Sequence, residues 1–199
     1  MKRSWFGMAV LVMALVTVVA CGKPPQEDID AAMAALEAAK TAQADKWAET
    51  DFQTAESSLS AAQAEVDAQA QKWFKNDDKA KERMTTAKAD AEKAAAAAVA
   101  NKETAKNEAT AAIADATAAL EAATTALAGA PKGKDTKADL ELFKQDLDGL
   151  AVTLTEAQTA MGNEDYNAAK DMASSVREKA TSISDQIAQA AAKRAGGRK

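Results

Sequence analysis

The sequence predicts an all-α protein, an elongated helical bundle built of antiparallel coiled-coil hairpins. Three observations carry that expectation. No Gly or Pro occurs between Pro25 and Gly129. Alanine supplies 54 of the 199 residues, and Glu, Lys and Gln fill much of the rest, all strong helix formers. Aromatic residues make up only 4% of the chain, and no alternating apolar–polar run marks a strand.

The first element, residues 1–20, reads as a signal peptide. Lys2 and Arg3 form a positive start, and Trp5 to Ala20 carries no charge. That apolar run has 16 residues, short of the roughly 20 a spanning helix needs. It closes on Val18-Val19-Ala20-Cys21, which holds the only cysteine. This tetrad resembles the bacterial lipobox: an aliphatic residue, a tolerant position, a small residue, then Cys. The resemblance implies cleavage by signal peptidase II between Ala20 and Cys21 and acylation of Cys21. Gly22, rather than Asp, follows the cysteine, which in that sorting pathway favours the periplasmic face of the outer membrane over the inner membrane. Residues 21–26 then form a lipidated linker. Two or three acyl chains anchor stably where one does not.

Helices are expected near 27–47, 51–74, 77–128, 135–161 and 164–193, with a flexible basic tail over 194–199. Thr50-Asp51 and Asn76-Asp77-Asp78 have the character of N-caps, and Gly129-Ala130-Pro131-Lys132-Gly133-Lys134-Asp135 is a loop. Gly162-Asn163 pairs a helix-ending residue with a helix-starting one. Apolar residues step by three and four: Phe52, Ala55, Leu59, Ala62, Val66 and Trp73, with Gln69 intruding. The same spacing gives Leu140, Phe143, Leu147, Leu150, Leu154, Ala157 and Met161, then Tyr166, Ala169, Ala173, Val176, Ala180, Ile183, Ile187 and Ala190. A 3.5-residue repeat keeps one narrow seam facing its neighbours. Heptads alone leave open whether these seams close one monomeric bundle or a homo-oligomer.

The chain also repeats. Ala34-Ala35-Leu36-Glu37-Ala38-Ala39 recurs at Ala118-Ala119-Leu120-Glu121-Ala122-Ala123, and Ile29 answers Ile113. Phe52 and Leu59 correspond to Phe143 and Leu150, and Asn76-Asp77-Asp78 to Asn163-Glu164-Asp165. Two three-helix units follow, 27–100 and 103–193, joined by a long helix. Met84, Ala87, Ala91, Ala94 and Ala98 keep one heptad frame; Ile113, Ala116, Leu120, Ala123 and Leu127 keep another. The polar stretch 101–107 lies between them. A continuous helix over 77–128 would be about 75–80 Å long. With Asn163-Glu164-Asp165-Tyr166-Asn167-Ala168-Ala169 at the turn into its last helix, this pattern resembles an uncharacterised family of Ala-rich helical periplasmic domains. Those domains occur as small lipoproteins or ahead of OmpA-like domains, and the resemblance implies no activity. Lys79 departs from the pattern, standing where the second unit has Tyr166.

Composition excludes several chemistries. The sequence has no histidine, so no Ser-His-Asp or Cys-His nucleophile and no histidine metal ligand. No EF-hand or phosphate-loop motif is present. Asp77-Asp78 and Glu164-Asp165 read as helix-start residues favoured by the macrodipole. A hydrolase or transferase is the contrasting reading, and nothing in the motifs favours it. Without Lys2 and Arg3, 23 basic residues face 30 acidic ones, a net charge of −7, which argues against nucleic acid as a partner. The mature aromatics are Trp47, Phe52, Trp73, Phe74, Phe143 and Tyr166, mostly beside expected helix ends. They are expected to plug the bundle ends, with a binding patch as the alternative. Finally, Gly196-Gly197-Arg198-Lys199 resembles the end of Braun's murein lipoprotein, which implies peptidoglycan attachment through Lys199. The expected molecule is a non-catalytic envelope lipoprotein, a spacer or scaffold for unidentified envelope proteins, with no cofactor beyond the lipid on Cys21.

Overall fold

The computed structural model describes residues 26–73, 77–131 and 137–196, with side chains described up to residue 192. These residues form helices α1 (Gln26–Thr41), α2 (Ala44–Trp47), α3 (Glu49–Ala70), α4 (Asp78–Gly129), α5 (Lys137–Gly162) and α6 (Tyr166–Gly196), and no strand. The protein is an all-α helical bundle, as the composition predicts. Four of the five expected helices are single helices close to their expected bounds. The expected helix 27–47 is divided, because Gln43 turns left-handed (φ 59°, ψ 42°). Its N–H bonds back to the Lys40 carbonyl at 2.8 Å and closes α1, leaving α2 as one short turn.

Smaller differences have plain causes. Thr50-Asp51 lies inside the first turn of α3, behind Ala48, so it does not cap; Asp51 instead pairs with Lys93 at 2.8 Å. Asp77 precedes α4 without a side-chain cap bond, and its carbonyl accepts the Lys81 N–H at 2.9 Å. Asn163 does not start α6; it belongs to the turn, and Tyr166 opens the helix. α6 continues through Gly196, past the expected 193, because Ala191 to Ala195 contains no helix breaker. The tail expected from 194 therefore begins within a helix.

Helix directions follow from cross-helix contacts. Asp51–Lys93, Ser58–Asp90 (2.6 Å) and Glu65–Arg83 (3.3 Å) set α3 antiparallel to the first half of α4. Lys170–Glu108 (2.8 Å) and Arg177–Asp115 (3.6 Å) set α6 parallel to the second half. At 1.5 Å per residue, the 52-residue α4 is about 78 Å long and runs through both halves of the molecule. One core gathers α1, α2, α3 and α4 up to Ala109; the other gathers α4 from Ala116 with α5 and α6. The cores are not separate, since Tyr166 and Ala169 of α6 belong to the first, and Ile113 packs against both.

The seam of α4 explains how one helix serves two bundles. Ala80, Met84, Ala87, Ala91, Ala94, Ala98 and Ala105 are buried in one heptad frame. Ala109, Ala116 and Ala123 continue in a frame offset by the four-residue step from Ala105. Such a stutter locally unwinds the supercoil and re-aims the seam. Alanine in nearly every buried position of α4 lets its partner helices approach closely. In α3, Gln69 takes a seam position, 4% exposed, with its amide donating to Glu65 Oε1 at 2.8 Å. That bond, with Lys79 and Arg83 nearby, holds the Glu65 carboxyl below its ordinary range. A closely approached alanine seam has no room for a longer side chain. Ala94→Leu should therefore cost about 1–3 kcal/mol, while the same change at exposed Ala96 should stay within about 0.5 kcal/mol, both read from urea unfolding followed by circular dichroism.

Candidate functional site at the joint between the bundles

The residues expected to carry function by sequence, Ala20, Cys21 and Lys199, lie outside the described residues, as does Phe74. What the structure brings together is a different set, at the middle of α4. Two of the helix corners converge there, those of α1–α2 and α5–α6. The α1–α2 corner turns at Gln43, and the α5–α6 corner turns at Glu164, whose φ is 60°. These are the two non-glycine residues with positive φ among the described residues. Such a conformation costs an L-residue roughly 1–2 kcal/mol.

Each corner is closed by its own backbone. Around Glu164 the bonds Glu164 N–H to Met161 O (3.2 Å) and Asp165 N–H to Ala160 O (2.9 Å) make a Schellman motif with a glutamate where glycine is usual. The side chains of both corners then turn to one residue of α4. Lys102 Nζ donates to Glu164 Oε2 at 2.6 Å and to Gln43 Oε1 at 3.3 Å. One helical ammonium thus ties the two left-handed turns together.

Around this tie the contacts are denser. Asn101 Nδ2 donates to the Trp47 carbonyl at 2.7 Å, satisfying an acceptor at the end of α2. Trp47 and Tyr166, 7% and 6% exposed, face one another with ring centroids 5.8 Å apart and planes at 36°. That spacing lies within the favourable range for aromatic pairs. Lys46 Nζ stands 4.9 Å from the Trp47 ring centroid and 3.8 Å from Asp165 Oδ1. Phe52, 7% exposed, closes the core just beneath.

The aromatics therefore divide. Trp47, Phe52 and Tyr166 are buried at the joint, and Phe143 is half-buried at the far end of the second bundle, beside an open cleft of about 280 Å³ lined by Ala130, Pro131, Leu140 and Ile187. Trp73 fits neither the plug nor the seam that the spacing predicts: it lies beyond the end of α3 and is 92% exposed. The Lys79/Tyr166 departure also has a reason. Both open the third helix of a unit, but Tyr166 starts at the joint, where a ring is buried, and Lys79 starts at an open end, where it meets Glu65 at 3.6 Å.

The joint's electrostatics are those of a clamp. The Lys102 ammonium, by hydrogen bond and charge, holds the Glu164 carboxyl below its ordinary range, and the same bond raises Lys102. A lowered carboxylate pKa gives stability that is present above the ordinary glutamate range and lost as pH falls through the lowered value. Among the described residues, no group of three or more His, Cys, Asp or Glu is placed to hold a metal, and no helix is long and apolar enough to cross a membrane. Spin labels at the exposed positions Glu56→Cys and Glu178→Cys, one per bundle, report the joint directly. Their distance distribution should stay narrow from neutral pH down to the ordinary glutamate range and broaden only below it. Lys102→Ala should broaden it at neutral pH with little change in the unfolding midpoint. Trp47→Ala should instead cost about 3–5 kcal/mol of stability. Compared with known proteins, the chain matches no family model, no curated protein and no solved structure.

Proposed function

We propose that this protein is a lipid-anchored lipoprotein of the cell envelope, acting as a non-catalytic spacer or interaction scaffold in the periplasm. One observation carries the reading: Cys21 ends the tetrad Val18-Val19-Ala20-Cys21 behind a positive start and an uncharged apolar run. That order is what an export and lipidation signal requires. An elongated bundle with a spine of about 78 Å suits a spacer, because its length is held by helical backbone rather than by a flexible linker. A net charge of −7 on the mature chain, 23 basic against 30 acidic residues, disfavours contact driven by attraction to anionic lipid or nucleic acid.

A second reading, attachment to peptidoglycan through the Lys199 amine, rests on the Gly-rich spacer before Arg198-Lys199. The two readings separate in cells. Palmitate should label the wild-type protein and not Cys21→Ala, which should leave the membrane fraction; retained labelling contradicts the anchor. A wall-bound fraction that Lys199→Ala abolishes would support the tether, and its absence from wild type would remove it.

A further inference from the structure

The open end of the first bundle carries an exposed tryptophan on the side of the joint from which the chain enters α1. From the joint, α1 spans about 24 Å, whereas α3 and the part of α4 from Asp78 to Asn101 span about 33–36 Å. The end of α3 and the start of α4 therefore form one end of the rod, and Gln26 lies on the same side of the joint, about two helical turns short of that end. Trp73 sits there, 92% exposed, the most exposed large apolar side chain among the described residues. Cys21 precedes Gln26 by five residues, a tether that reaches at most about 17 Å when fully extended.

We infer that Trp73 docks into the headgroup region of the bilayer that holds the Cys21 lipid, a second contact that sets the tilt of the rod. The inference rests on the lipid-anchor reading. Tryptophan suits this role because its ring is apolar while its N–H seeks water or headgroups, and it concentrates at membrane interfaces. The described residues leave its ring almost wholly in water, and a headgroup layer would remove that apolar area from it. The occupant is lipid rather than protein because the anchor holds this end within a short tether of the membrane for the life of the molecule. Among the described residues, Lys72, Lys79 and Lys81 share the end with Asp77 and Asp78, so its charges are mixed in sign. The contact is that of the ring, and it should be insensitive to salt. With both contacts made, the second bundle points away from the membrane.

The mature lipidated protein contains two tryptophans, Trp47 buried at the joint and Trp73 at the end, so lipid-borne quenchers distinguish them. The protein is reconstituted into vesicles of phosphatidylethanolamine and phosphatidylglycerol carrying a doxyl-labelled acyl chain. Trp73 emission should shift to the blue, lose intensity to the doxyl group and become protected from acrylamide, unchanged at high salt. Trp73→Phe should lack all three effects while keeping palmitate labelling and vesicle association. Wild-type Trp73 emission that stays red and open to acrylamide on anchored protein overturns the inference and leaves the anchor standing. Loss of palmitate labelling in wild type overturns both. Protection seen only in intact envelopes, and not in lipid vesicles, assigns the ring to a protein partner and also overturns it.

Discussion

Everything in this molecule depends on one helix burying alanine on both of its halves. α4 contributes the floor of each core, from Met84 to Ala109 in the first and from Ala116 to Ala123 in the second. Alanine seams bring little apolar area per residue, so neither bundle has a deep core of its own. What they offer is close approach over a long distance, and close approach requires that the seam keep facing its partners. Over 52 residues a single heptad frame would carry one stripe only. The four-residue step from Ala105 to Ala109 is how the stripe is passed from one set of partners to the next.

The joint lies next to that step. About one turn before the seam changes hands, α4 presents polar residues, Asn101 and Lys102, to two helix corners that have polar groups to satisfy. The corners are left-handed at Gln43 and Glu164, conformations that glycine would adopt without penalty. Glycine would carry no side chain to reach Lys102. The strain is thus exchanged for a bond between elements distant in sequence, and the Trp47–Tyr166 contact seals it on the apolar side. A continuous helix with a clamp at its centre resists bending better than two bundles on a linker, because bending must break α4 or the clamp.

Much of this was legible before any coordinates. The all-α class, the long helix, the change of heptad frame and the polar stretch at 101–107 follow from helix propensity and periodicity, which are local properties. The division of the first helix was not legible, because glutamine at position 43 carries no breaker signal; only its contacts with Lys102 and Trp47 make the turn worthwhile. Glu164 hid for the same reason beside Gly162, which stays helical while its neighbour turns. Trp73 fits a seam by its spacing, yet α3 ends three residues earlier at Ala70. Spacing cannot report where a helix stops having partners. Lys102, the centre of the site, looks in sequence like any solvated lysine.

Hydrogen exchange of the α4 amides between Ala98 and Ala109 tests the shared spine most directly. A clamped, continuous helix predicts that these amides exchange as slowly as those flanking Ala91 and Ala116 in the two cores, and that they open together with global unfolding. Rapid exchange confined to this stretch, with both cores still protected, would mean two independent bundles on a flexible connection and would contradict the joint as described.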